Sequence, residues 1–302
     1  MKIFVILGLV AFATDFVHGI TKLRKEDFGA DHETTLEGHL KLDLEEDKEW
    51  LFHVGLWGNN EQYINDEGVA AGFDIDVLNA VCRIAGKNCK TVYDITTNCV
   101  YSADQEDPRG GVGMMAGWYE GCIGWRNTVE RRLYFDFSDD YVQPTMEVFV
   151  TLPGNPGSFD YQDLTAKKIG FINGFSSNKQ CVADLYGDSI VGADIPAENV
   201  VQCAGVSGCI QALESNEIDA WFILSSVVRG RTDVEIVSEE LAPCTPGGNS
   251  LMARKDSRVL EWFQPALETL MSGSEYEELC QNIIDEHGDQ PGRGPEGTCF
   301  KE

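Results

Sequence analysis

Residues 128–141 read TVERRLYFDFSDDY, and they carry more structural information than any other stretch of the chain. Thr128 is a favourable N-cap: its hydroxyl can accept from the free backbone N–H groups of the turn that follows, and Glu130 lies where the helix dipole favours an acid. Arg131 falls in that first turn. A guanidinium beside N–H groups that no carbonyl has claimed makes a socket for a carboxylate, since the fork donates two parallel bonds and the helix end adds partial positive charge. The competing reading is an ordinary surface arginine. The stretch then continues as a buried strand and a turn.

This block resembles the TPERxxxxDFSxPY signature of the extracellular solute-binding proteins of family 3, the amino-acid-type periplasmic binding proteins. Their fold is shared by the ligand-binding core of ionotropic glutamate receptors. Four further segments agree in order and spacing: GFDIDV at 72–77, DLTAKKIGFINGFSS at 163–177, ALESNEIDA at 212–220 and LMARKDS at 251–257. The likeness runs from about Trp50 to about Asp285. It implies an α/β chain in the two-lobed type II arrangement, with residues 50–151 and 247–302 forming lobe 1 and residues 152–246 forming lobe 2. The ligand cleft would lie between the lobes, and hinge closure would be the working cycle.

Local signals fit an α/β chain of about 280 residues after export, too long for one small core. LFHVGLW at 51–57 reads as a compact strand, and strands follow near 91–95, 148–152 and 169–172. Val77, Leu78, Val81, Cys82 and Ala85 share one helical stripe, as do Val259, Trp262, Phe263, Ala266 and Leu270. LPGNPGS at 152–158 and CTPGGN at 244–249 have the Pro/Gly content of connections, and we expect them to be the two hinge crossings.

Composition gives the setting. Residues 1–19 join one lysine to an apolar run and end at Gly19, which reads as a secretory signal peptide. Residues 20–49 are polar and mixed in charge; HLKLDL at 39–44 alternates like a short strand, but the segment reads as an extension. No segment is apolar for long enough to cross a bilayer. The formal charge is −27, which disfavours nucleic acid and anionic membranes as partners. We therefore expect a secreted, acidic, soluble monomer whose partner is a small molecule, an organic acid or amino-acid-like compound. A transporter or receptor that would receive it is not encoded in any motif.

Ten cysteines in an exported chain argue for disulfides rather than metal thiolates, and no CxxC pair is present. The family resemblance suggests Cys82 with Cys89, seven apart between a helix end and the next strand. Cys99 with Cys122 and Cys203 with Cys209 are further candidates among many connectivities. The histidines show no metal spacing such as HxxxH, and no GxSxG elbow, Walker loop or dinucleotide fingerprint occurs in context, so neither a cofactor nor a metal is expected.

Site residues follow from the resemblance. Arg131 and Thr128 would receive the ligand from lobe 1, and Ser176, beside a helix that Ser176 or Ser177 caps and Gly187 ends, would grip it from lobe 2. Phe175 stands where a small residue is common. Trp57, Tyr63 and Trp125 are placed to cover a ligand or to plug the cleft. Asp74 and Asp76 look like a DxD metal pair, yet the resemblance makes them architectural. Two departures matter. The acid that holds an amino acid's ammonium group is replaced by Leu224, and a small hydroxyl residue is replaced by Arg126. An apolar side chain cannot pair an ammonium ion, so an anionic ligand other than a standard α-amino acid is expected. The alternatives are a dehydratase-type cleft enzyme using Glu61, Glu120 or Asp139 as a base, and a disulfide-stiffened interaction module that has lost its ligand.

Overall fold

The computed structural model describes residues 48–55, 57–101, 109–292 and 294–300. The expected signal peptide and almost all of the 20–49 extension lie outside them. The chain opens with β1 (Glu49–Val54), the short antiparallel pair β2 (Tyr63–Ile64) and β3 (Ala70–Ala71), helix α1 (Phe73–Ile84) and β4 (Asn88–Tyr93). A second short pair, β5 (Val100–Tyr101) and β6 (Arg109–Gly110), precedes β7 (Gly121–Arg126), the single turn α2 (Val129–Arg132) and β8 (Phe135–Phe137). Then come β9 (Glu147–Thr151), β10 (Ile169–Ile172), α3 (Lys179–Tyr186), β11 (Val200–Cys203), α4 (Gly205–Glu214), β12 (Ala220–Leu224) and β13 (Glu235–Ile236). Then follow β14 (Asn249–Arg254), α5 (Val259–Met271) and α6 (Ser274–His287), and a short helical turn, Pro295–Thr298, comes last among the described residues.

Two five-stranded sheets organise these elements. The first has the order β4-β1-β7-β14-β8 and the second β11-β10-β12-β9-β13. In each, a parallel core of three strands is joined by antiparallel strands that arrive from the crossings between sheets. Parallel neighbours require a long crossover, supplied here by α1 between β1 and β4 and by α3 between β10 and β11. The first sheet buries Trp50, Phe52 and Val54 against α1, α5 and α6, where Val77, Leu78, Val81, Phe263 and Leu267 form the facing stripe. In β12 the side chains alternate. Trp221 and Ile223 enter one core layer while Ala220 and Phe222 enter the layer on the other face. All five residues of β12 are buried, the mark of a strand covered on both sides.

The crossings differ from the sequence expectation. Because β9 pairs antiparallel with β12 and β13, it belongs to the second sheet, and the outward crossing is residues 138–146. LPGNPGS at 152–158 is then a turn between β9 and β10, not a hinge. The return crossing, residues 242–248, does include most of CTPGGN. Backbone bonds tie the chain at the ends of the crossings: Tyr141 N donates to Asn249 O, the first residue of β14, at 2.8 Å, and Glu147, the first of β9, exchanges bonds with Leu241 at 3.0 and 2.8 Å. All ten cysteines are paired, as Cys82–Cys89, Cys99–Cys122, Cys181–Cys244, Cys203–Cys209 and Cys280–Cys299. His53 lies beside the second pair, whose sulfurs are bonded to each other and leave a single imidazole as a metal donor.

Candidate functional site

Thr128 ends the extended backbone after β7 and caps α2, its Oγ1 accepting from Arg131 N at 3.2 Å. The capped turn aims Arg131 inward. Only 4% of that residue is exposed, and its guanidinium lies 4.7 Å from the centre of the Trp125 ring. Nη1 donates to Arg126 O at 2.7 Å and Nη2 donates to Gly174 O, so one side chain of the first sheet reaches a turn of the second. No carboxylate forms a salt bridge with Arg131 among the described residues. Burial, with the neighbouring Arg126 charge, lowers its pKa to about 9. The group remains a cation at neutral pH, held by neutral acceptors and an aromatic face.

Arg126 is equally buried. Its Nη1 donates to Gly247 O at 3.2 Å and its Nη2 donates to Thr145 Oγ1. One guanidinium therefore ties the outward crossing to the return crossing. Glu147, also buried, closes this cluster. It accepts from Ser177 Oγ at 2.6 Å and from Cys244 N at 3.3 Å, and burial raises its pKa to about 7.

Below the cleft, Asp74 is wholly buried. It accepts from Gln62 Nε2 at 2.7 Å, Tyr141 Oη at 2.9 Å and Asn249 Nδ2 at 3.2 Å. Asn249 also donates to Glu61 Oε2 at 3.1 Å. Burial, then the nearby Glu61 charge, raises Asp74 to about 7. The DxD pair is thus architectural: Asp74 fixes this network and Asp76 meets His287 at 2.7 Å.

Arg131, Arg126, Trp125, Trp57, Phe175 and Ser176 all line one cavity, and Leu224 completes it. The space is about 40 Å³, room for a few waters, since one needs on the order of 10–15 Å³. Trp57 meets Trp125 edge-on at 5.5 Å and Phe175 at 5.4 Å, and these rings close the cleft. Two expected contacts are not part of it. Tyr63 bonds His287 Nδ1 at 3.1 Å behind α1, and Thr128 acts as a cap facing an adjoining cavity of about 680 Å³, which Arg131, Phe175 and Ser176 also line. Asn178, rather than Ser176 or Ser177, caps α3, with Oδ1 accepting from Cys181 N at 2.9 Å. Glu61 reaches the cavity, whereas Asp139 is bound to Gln264 and Glu120 to Ser257 away from it. Sequence reasoning missed Asn59, Ser226 and Asn249; Asn249 stood at the end of a segment read only as a connection.

No family model and no curated protein sequence matches this chain. Solved structures do. An ancestral arginine-binding protein bound to arginine superposes with a TM-score of 0.58 at 23% identity, covering 79% of this chain and 97% of its own. A Salmonella typhimurium periplasmic binding protein with high arginine specificity gives 0.59 at 22% identity, covering 77% and 97%. An amino acid ABC transporter substrate-binding protein from Streptococcus pneumoniae bound to L-arginine gives 0.62 at 16%, covering 83% and 98%. The fold is the two-lobed periplasmic-binding-protein fold. Segments that adjoin both five-stranded sheets line the Arg131 cavity.

Proposed function

We propose that the protein is a secreted, non-enzymatic solute-binding protein whose lobes close on a small carboxylate-bearing ligand. The lobes divide at the crossings 138–146 and 242–248, and the signal-like residues 1–19 direct export. The observation that carries the reading is Arg131: a buried guanidinium aimed at the opposing lobe, with a second guanidinium beside it and only carbonyls as acceptors. A ligand carboxylate would replace Gly174 O, exchanging a neutral acceptor for a charge-assisted one. The space among Trp57, Trp125 and Phe175 admits only water, so a ligand there needs the lobes to part, while the adjoining cavity of about 680 Å³ also reaches Arg131 and Gly174.

The named structural neighbours bind arginine. In this chain Leu224 ends β12 where an ammonium-pairing acid would stand, and Glu61 is held by Asn249, so a ligand without an ammonium group fits better. Native mass spectrometry followed by a thermal-shift series of succinate, malate, sulfonates, L-arginine and L-glutamine tests this. An organic acid at 100 times its dissociation constant should add about 2.7 kcal/mol of stability, and Arg131→Met should abolish the shift. Stabilisation by L-arginine with none by organic acids would reverse the ligand class; turnover of the bound acid would make the protein an enzyme.

A further inference from the structure

We infer, resting on carboxylate capture at Arg131, that Glu147 competes with the incoming carboxylate for the positive charge of Arg126, so that capture of an anion takes up a proton. Arg126 belongs to two places at once. It lines the Arg131 cavity, and its guanidinium reaches Thr145 Oγ1 and Gly247 O in the two crossings. Glu147 stands two residues beyond Thr145 and accepts from the N–H of Cys244, three residues before Gly247. Sheet register brings it beside the cavity as well: Glu147 of β9 is directly opposite Leu224 of β12, and Leu224 lines the cavity. Residues opposite each other in an antiparallel pair project to one face, with Cβ atoms about 5 Å apart.

The groups around Glu147 can be named element by element. Arg126, at the end of β7, is the cation that acts on it, and Tyr186 of α3 feels its charge in turn. Ser177 and Cys244 bring neutral donors, and Cys244 is held in a disulfide with Cys181. Asp140 of the outward crossing also faces Arg126, with Asp139 and Arg132 near it, but it is half-buried and water screens it. Glu147 is wholly buried, so its charge acts on Arg126 through protein rather than water. Arg131, whose pKa burial and then the Arg126 charge lower to about 9, stays a cation through neutral pH. An ionised Glu147 and a ligand carboxylate therefore draw on the same two guanidiniums and repel each other. Burial already raises the Glu147 pKa to about 7, and a proton from solvent relieves the repulsion. Affinity is then constant below that pH, where Glu147 is protonated with or without ligand, and falls as pH rises through it.

Isothermal titration calorimetry of the full chain with malate, which stays ionised from pH 6.5 to 8, tests the coupling. The wild type should bind malate about four- to eightfold more weakly at pH 8 than at pH 6.5 and take up about half a proton at pH 7.5, read from the heats in phosphate and Tris buffers. Glu147→Gln, neutral at every pH, should bind with one affinity across the range, tighter than the wild type at pH 8, and take up no proton. Asp140→Asn should keep the wild-type slope. Equal wild-type affinity at both pH values overturns the inference, as does a slope that Glu147→Gln retains. Carbon-13 NMR of the glutamate carboxyls needs no variant: the Glu147 resonance should titrate near neutral pH and move to higher pH with saturating malate, and titration in the ordinary carboxylate range overturns the inference. If no organic acid binds at any pH, carboxylate capture has itself failed and the coupling falls with it. Binding that does not depend on pH leaves capture standing and removes the coupling alone.

Discussion

Gly124 shows how one backbone conformation makes the cleft floor. Its φ is +81°, in the left-handed region, and a Cβ there would stand 2.2 Å from Asp74 Oδ2 and 2.3 Å from Gln62 Nε2. The residue sits where β7 and β14 lose register, between Ser250 and Met252, so the irregular strand and the buried carboxylate are one arrangement. Gly124→Ala should cost about 2–3 kcal/mol, from backbone strain plus displacement of the Asp74 network. A urea melt checks this; a cost below about 0.5 kcal/mol would mean the network is not tightly held. At this scale the sequence was partly readable. Thr128 and Arg131 stood in a pattern whose local chemistry, a cap and a guanidinium, is written in adjacent residues. Where the guanidinium points was not, because that depends on the Trp125 ring and the Gly174 carbonyl, the latter 43 residues away.

Between elements, the decisive group is Glu147 at the start of β9, which joins the outward crossing, the return crossing and the Ser177 turn. Arg126 and Tyr186 face it, yet burial dominates and its pKa rises from the usual carboxylate value to about 7. The folded state thus binds a proton that the unfolded state releases between about pH 4.5 and 7. This contribution is fully present below pH 4.5 and lost as pH rises through 7, by an amount on the order of 3 kcal/mol. Glu147→Gln keeps an acceptor for Ser177 and should flatten the fall in melting temperature across that window; an unchanged slope would show that the group does not titrate there. Disulfides bind the same elements together. Cys181–Cys244 closes a separation of 63 residues between α3 and the return crossing, and Cys203–Cys209 one of only 6. On chain entropy, replacing each pair by alanines should cost about 4 and about 2 kcal/mol respectively. Equal losses in chemical denaturation would refute that ordering. These elements explain the sequence's misreadings: Pro and Gly in 152–158 signal a turn without saying which strands it joins, and the N-cap of α3 could be Ser or Asn by chemistry alone.

On the scale of the whole molecule, the α/β order and the two-sheet design were legible because periodic apolar stripes at 77–85 and 259–270 and the ordered family-like segments are properties of composition along the chain. The degree of cleft closure was not, since it reflects Trp57, Trp125 and Phe175 meeting from three separate segments. A second global property is charge. With 50 acidic against 23 basic residues, the chain carries −27 and a pI near 4.4. Like charges spread over one compact surface repel, and compaction brings them closer than in the unfolded chain, so the folded state is the one penalised. Salt shortens the reach of that repulsion to about 10 Å at 0.1 M. Raising NaCl from about 0.05 to 0.5 M at pH 7.5 should therefore raise the melting temperature, by about 2–5 °C if screening returns 1–2 kcal/mol. Near pH 4.4, where positive and negative charges balance, the same salt step should have little effect or a reversed one. A rise of equal size at both pH values would assign the effect to strengthened apolar burial by the salt rather than to charge.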